Sequence, residues 1–356
     1  MARNFTRATV TAMAGYTPGE QPQDRQYIKL NTNENPYPPS PRVVEAVRAA
    51  VNADLRLYPH PTADALRDRA AAVYGLCREH VLVGNGSDEL LSLVVRACVG
   101  PGDRVVYPYP TYSLYDTLVT IQEGEAVHVP YPADFSFPTG LAAARGRVTL
   151  VCHPNSPSGT AVPIDTLRDL GRAVAGLLVV DEAYVDFADA SALALVRQCD
   201  NVVVLRTLSK SFSLAGMRIG LAFAAPPIID ALLKVKDSYN VTRLSIVAGT
   251  AALEDYACMQ ANVARVRLTR QRLTDGLRAR GFSVLPSQAN FVLARRPGRT
   301  LEGIHVALRA RGILVRYFAT PELYDAMRVS VGTDAEVDAL LQALDDIASH
   351  VPGGDA

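Results

Sequence analysis

Tryptophan is absent from this 356-residue chain and cysteine is sparse, with five residues at positions 77, 98, 152, 199 and 258. An odd number of widely spaced cysteines with no C-x-x-C pair argues against a disulfide framework and against a zinc knuckle. Such thiols suit a reducing compartment. An excess of one charge is missing too, since 36 Lys plus Arg stand against 36 Asp plus Glu. No global field then favours nucleic acid or an anionic membrane, so anion binding has to come from a local site. No apolar run approaches the ~20 residues of a membrane helix. The opening MARNFTRATV lacks the apolar stretch and small-residue cleavage site of a secretory signal. These absences set the expectation of a soluble, cytoplasmic protein without nucleic-acid, membrane or metal partners.

What is present is an ordinary globular composition, 49% hydrophobic and 20% charged, at a length that suggests roughly two domains. From about residue 40 to 225, short apolar runs alternate with helix-length amphipathic ones. The runs at 81–83, 104–108, 148–152, 177–182, 202–207 and 220–224 read as strands. Several are continuously apolar between turn signals, as strands buried on both faces of a mostly parallel sheet are. Ser40-Pro41 opens the helix PRVVEAVRAAV, Thr62 opens ADALRDRAAAVYG, and Ser87 opens DELLSLVVRACVG ahead of Pro101. After about residue 240 an arginine-rich helix near 262–280 precedes strands near 290–294, 313–316 and 327–331, with helices near 300–311 and 334–348. The expected class is α/β: an arm (1–28) packing with the small domain, a large domain (29–245) of sheet sandwiched by helices, and a small α+β domain (246–356).

The chemistry concentrates at strand ends. TLSKSFSLAGMRIG (207–220) sets Lys210 among Thr207, Ser209, Ser211 and Ser213, with Arg218 eight residues on. Lys210 is either a solvated surface lysine or a Schiff-base former. The second role needs the free amine, which an unperturbed pKa of about 10.4 withholds at neutral pH and which burial or a nearby cation would release. In LLVVDEAYVDF (177–187), Asp181 is either a helix N-cap or a carboxylate facing a heterocyclic nitrogen. A unit pair at about 4 Å and an effective dielectric near 20 is worth ~4 kcal/mol, enough to keep a pyridinium charged. In CHPNSPSG (152–159), Asn155 either holds the turn or offers its amide to a ring oxygen. GNGSDELL (84–91) is a glycine-flanked turn into a helix, and the amides of Ser87 and Asp88 suit a phosphate. Arg218 would clamp the same phosphate, with Thr207 and Ser209 adding hydroxyls.

These residues, in this order, resemble the pyridoxal-phosphate enzymes of the aspartate-aminotransferase fold, fold type I. The likeness runs from about residue 15 to 345. It implies a mostly parallel seven-stranded sheet, pyridoxal 5'-phosphate as cofactor, Lys210 as the Schiff-base lysine and Arg218 as the phosphate arginine. It also implies Asp181 on the ring nitrogen, Tyr184 and Asn155 on the ring hydroxyl, and Tyr112 of YPTYSLY stacked on the ring. Within that fold, IKLNTNENPYPPSP, the YP of residues 58–59, RTLSKSFSLAGMRIG and GILVRYF with MRVSVGTDAE resemble the histidinol-phosphate aminotransferases most closely.

That resemblance implies transamination between L-histidinol phosphate and 2-oxoglutarate, giving imidazole-acetol phosphate and L-glutamate in histidine biosynthesis. It implies a homodimer in which Tyr58 reaches the neighbouring subunit's cofactor phosphate. Arg328 is expected to anchor the substrate anion, helped by Arg316, Asn33 and Tyr16, because the arginine fork suits both phosphate and carboxylate. The chain departs from the family where HPNNPTG reads HPNSPSG, and Ser156 and Ser158 are not expected to touch the ring. An aromatic amino-acid aminotransferase or a threonine-phosphate decarboxylase on the same fold are the alternatives. A cofactor-free Schiff-base aldolase would not require Asp181, Tyr184 and Arg218 together. A non-enzymatic DNA-binding sensor would need a winged-helix segment ahead of the fold, where only about 25 residues stand.

Overall fold

The computed structural model describes residues 5–349. Twelve strands are found among them: β1 (Ile28–Leu30), β2 (Val81–Asn85), β3 (Arg104–Tyr109), β4 (Glu125–Pro130), β5 (Val148–Cys152), β6 (Leu177–Asp181), β7 (Val202–Thr207), β8 (Ile219–Ala224), β9 (Ser283–Val284), β10 (Phe291–Arg295), β11 (Ile313–Tyr317) and β12 (Ala326–Ser330). They form a seven-stranded sheet in the order β2-β8-β7-β6-β5-β3-β4 and a five-stranded sheet in the order β1-β11-β12-β10-β9. In the larger sheet β8 runs antiparallel to both neighbours and the remaining pairs are parallel.

Alternation along each central strand fills two cores. Val203 and Leu205 join Leu150, Tyr107 and the helix Gly86–Cys98 on one face. Val202 and Val204 join Val180, Val151 and Leu66 of the helix Asp64–Tyr74 on the other. Both faces are therefore covered, which is why these strands are apolar at every position. Parallel strands fan out in two directions from β5 and β3, so the sheet has its switch point between them, where α/β folds open a crevice at the carboxyl ends.

The packing of three segments bears on the expected boundaries. β1 pairs in parallel with β11, Ile28 opposite Ile313, so the chain enters the small sheet before it begins the large unit. The helix Arg243–Glu254 packs against the helix Asp64–Tyr74: a Cβ on its Gly249 would lie 2.9 Å from Leu66. The long helix Tyr256–Arg278 follows it. The arm divides its contacts. Arg7 donates to the Ile121 carbonyl at 2.6 Å in the large unit, whereas Arg25 donates to the Arg309 carbonyl at 2.8 Å in the small one. Ser40 caps its helix as expected, but the helix after β2 starts at Gly86, which puts Ser87 in the first turn.

Candidate active site

The carboxyl ends of β5, β6 and β7, the loop after β3 and the first turn of the helix Gly86–Cys98 enclose a cavity of about 230 Å³ between the two sheets. Strand β6 delivers Asp181 as its last residue, 3% exposed. Its carboxylate accepts from the Tyr115 hydroxyl at 2.9 Å and from the Ala183 amide at 3.2 Å. Burial, with the negative Asp88 and Glu182 adding to it, raises its pKa to about 6 despite those two donors. No cation faces Asp181 among the described residues, so the arrangement fits a protonated heterocyclic nitrogen.

Lys210 follows β7 and points its amine into the cavity, where Nζ donates to the Thr32 carbonyl at 3.2 Å and lies 5.9 Å from the Tyr184 ring centre. Burial first, then the positive Arg328 and Arg218, push its pKa down to about 8 against the pull of Glu34 and Asp88. A useful fraction of free amine is therefore present near neutral pH.

Opposite this end, Arg218 adopts φ +50° and its Nη2 lies 3.1 Å from Asp88. The guanidinium packs over Gly86, whose φ of +79° is the left-handed conformation that favours glycine. The Thr207 hydroxyl lies 2.9 Å from that of Ser209, and Ser87 and Asp88 line the same end. Free first-turn amides, an arginine and two hydroxyls make an anion cradle. Tyr112 closes the cavity, its hydroxyl donating to Asp88 at 3.0 Å and its ring packing edge-on against Tyr16 and Tyr115. Tyr184 receives a hydrogen bond from the Asn33 amide at 3.1 Å, and burial raises its phenol to about 12.

Two arginines of the small sheet close the site. Arg328 on β12 and Arg316 on β11 sit directly opposite each other in register. Neither pairs with a carboxylate among the described residues. Arg328 donates to the Ser156 hydroxyl at 3.0 Å and to the Asn31 carbonyl at 2.9 Å, while its buried Nε has no partner. Arg316 donates to the Thr17 and Pro18 carbonyls at 3.4 Å each. Like charges placed opposite one another in a ladder repel. Two unneutralised guanidinium groups lining one cavity fit an anionic guest.

Asn155 stands just behind the lining of this cavity, and Tyr58 is expected at the neighbouring subunit's site rather than here. Asn155 is fully buried beside it: its carbonyl accepts from Thr111 at 2.7 Å, and its amide donates to the Pro110 carbonyl at 3.3 Å and to Ser158 at 3.0 Å. These buried groups need partners, and Asn155 supplies them by tying the loops after β3 and β5 together. Its neighbour Ser156 lines the cavity and accepts from Arg328. Tyr58 is 78% exposed and stacks on Tyr239 at 4.5 Å, away from its own chain's cavity.

Sequence reasoning also passed over Tyr115, Thr32 and Asn35. Tyr115 stood in the quoted YPTYSLY, three residues beyond Tyr112, in the first turn of the helix Leu114–Ile121 that Tyr112 precedes.

A profile described as "Aminotransferase class I and II" matches residues 25–344. The chain is 48% identical to histidinol-phosphate aminotransferase 1 from Nostoc sp. over 346 residues, covering 97% of this chain and 98% of that protein. It is 44% identical to histidinol-phosphate aminotransferase from Geotalea daltonii, covering 96% and 99%. Among solved structures it resembles histidinol-phosphate aminotransferase from Sinorhizobium meliloti in complex with pyridoxal-5'-phosphate, with a TM-score of 0.89, 27% identity and 98% of each chain covered.

Proposed function

Because the chain belongs to the class I and II aminotransferase family, we propose that it transfers the amino group of L-histidinol phosphate to 2-oxoglutarate in histidine biosynthesis, with pyridoxal 5'-phosphate as cofactor. The products are imidazole-acetol phosphate and L-glutamate. The observation that carries this reading is the pair of arginines without carboxylates, Arg328 and Arg316, in the same cavity as the low-pKa Lys210. The amino donor and acceptor in this reaction are both anions, one a phosphate monoester and the other a dicarboxylate. Guanidinium binds either.

The bound cofactor would supply the aldehyde that takes up the amine and the electron-accepting ring. Asp181 would keep the ring nitrogen protonated, Tyr184 would meet the ring hydroxyl, and Tyr112 would cover the ring. Arg218, the hydroxyls of Thr207 and Ser209 and the amides of Ser87 and Asp88 hold the phosphate. Lys210 acts through Nζ, as the covalent anchor and then as the base and acid that moves the substrate-carbon proton. Arg328 orients the substrate anion, with Arg316, Asn33 and Tyr16 around it. Asn155, buried beside the cavity, would meet the ring hydroxyl together with Tyr184, and Ser156 would help to hold Arg328.

The working form is a cytoplasmic homodimer in which Tyr58 completes the partner's site. Its exposure, with Leu55 and Leu57 exposed beside it, supports that reading. Steady-state assays of the purified protein with 2-oxoglutarate decide the substrate. L-Histidinol phosphate is expected to be turned over with the highest kcat/KM. A preference for phenylalanine or tyrosine, or release of carbon dioxide, overturns the assignment.

A further inference from the structure

The strap of residues 31–35 touches a different functional group at nearly every step. The Asn31 carbonyl receives Arg328, the Thr32 carbonyl receives the Lys210 amine, and Asn33 holds Tyr184. Asn35 reaches the backbone of the lysine turn itself. Its single amide donates to two consecutive carbonyls, those of Lys210 at 3.0 Å and Ser211 at 3.1 Å. Its own oxygen accepts from the Tyr37 amide at 3.0 Å, which fixes the side chain in a local turn. The far side of the same lysine turn is held by Ser211, whose hydroxyl donates to Asp186, itself facing Arg206 at 3.8 Å.

From this juxtaposition, and resting on the aminotransferase reading above, we propose that Asn35 is a positioning residue that clamps the Lys210 turn, and that the Thr32 carbonyl is the docking point of the Lys210 amine whenever it is not covalently engaged. A freed lysine on a four-carbon stem has many rotamers, most of them useless for proton transfer. Pinning the backbone at both ends of the turn leaves only the stem to move. A carbonyl at 3.2 Å then gives the ammonium one hydrogen-bonded rest position inside the cavity. Because the same strap carries Asn33 and Asn31, the lysine, the ring-side tyrosine and the anion arginine are referenced to one short backbone segment.

The test uses Asn35→Ala and Asn35→Ser, the second keeping a short donor and acceptor. In the cofactor-free protein, the pH midpoint for acylation of Lys210, followed by mass spectrometry, is expected to rise towards the ordinary lysine range in Asn35→Ala and partly return in Asn35→Ser. In the cofactor-loaded enzyme, kcat is expected to fall about tenfold or more with KM changed much less, since a misplacement of about 1 Å can cost 10²-fold. The primary isotope effect with substrate deuterated at the reacting carbon should grow, because proton transfer becomes slower. In a Lys210→Ala background rescued by added ethylamine, Asn35→Ala should cost nothing more.

An unchanged labelling midpoint together with an unchanged isotope effect in folded Asn35→Ala overturns the proposal. So does an equal loss in the ethylamine-rescued background. If the wild-type protein neither captures the cofactor nor transaminates, the aminotransferase reading fails by itself, while the labelling midpoint still reports on Asn35.

Discussion

Asp181 and Lys210 are both held in their less comfortable charge states, and that has a measurable sign. A carboxyl whose pKa rises to about 6 on folding holds its proton more tightly in the folded chain than in the unfolded one. Its contribution to stability is complete below the unfolded value near 3.8 and lost as pH rises through about 6. The cofactor-free Asp181→Asn variant is therefore expected to be more stable than wild type at pH 7.5, by up to ~3 kcal/mol. The gap should close as pH falls through 6 to 4, as read by urea denaturation at several pH values. Lys210 has the opposite sign: its folded pKa is depressed, so the penalty for charging it is fully present below about 8 and fades towards 10.5. Lys210→Met should then raise the melting temperature of the cofactor-free protein at pH 7 and lose that advantage by pH 10. Both variants should be inactive with cofactor present, since stability and chemistry oppose each other at these two positions. Tyr115 belongs to the same balance. Tyr115→Phe removes a donor to the Asp181 carboxylate, so that carboxyl should titrate higher still and kcat should fall, which a pH–rate profile would register.

At the scale of elements, the register of β11 against β12 brings Arg316 opposite Arg328 with no acid between them. Arg316→Leu is expected to raise the stability of the ligand-free protein and to raise KM for 2-oxoglutarate, a pairing that melting curves and steady-state kinetics together would check. Strand packing at the phosphate end is equally tight. A Cβ on Gly220 of β8 would lie 2.5 Å from the Gly86 backbone, so Gly220→Ala should weaken cofactor binding and cost about 1–3 kcal/mol of stability. The long apolar strands of the large sheet were legible because burial on both faces leaves no polar position to confuse the period. β4 was not: EAVHVP lies at the sheet edge with four of its six positions exposed, and its pattern resembles a loop. β1 and β9, three and two residues long, carry too little periodicity to register at all. Asn155 and Ser156 show a different limit. Adjacent polar residues in a Pro-rich turn point in different directions, and only the turn's geometry says which one faces the cavity.

For the whole molecule, the exposed Tyr58 ring gives the dimer proposal its sharpest consequence. If each site borrows a tyrosine from the neighbouring chain, mixing Lys210→Ala with Tyr58→Phe subunits should regenerate sites that carry both groups. The activity of such mixtures should exceed that of either parent, most clearly at limiting cofactor. Sedimentation should give twice the 38.3 kDa of a single chain. A monomer with full activity would remove Tyr58 from the site.

The pairing of β1 with β11 has a further consequence, for the order in which the molecule can be made. Ile28 has no strand partner until Ile313 exists, so the strap beyond β1 has nothing to pull against during most of synthesis. The seven-stranded sheet is complete by Ala224 and can collapse while the remainder is still being translated. A nascent chain stalled before residue 313 would therefore carry Asp181, Lys210 and Arg218 on formed strand ends, yet lack the β11 partner that holds β1 and the strap beyond it. Chemistry becomes competent last, when the final strands emerge and draw the early residues 31–35 across the cavity.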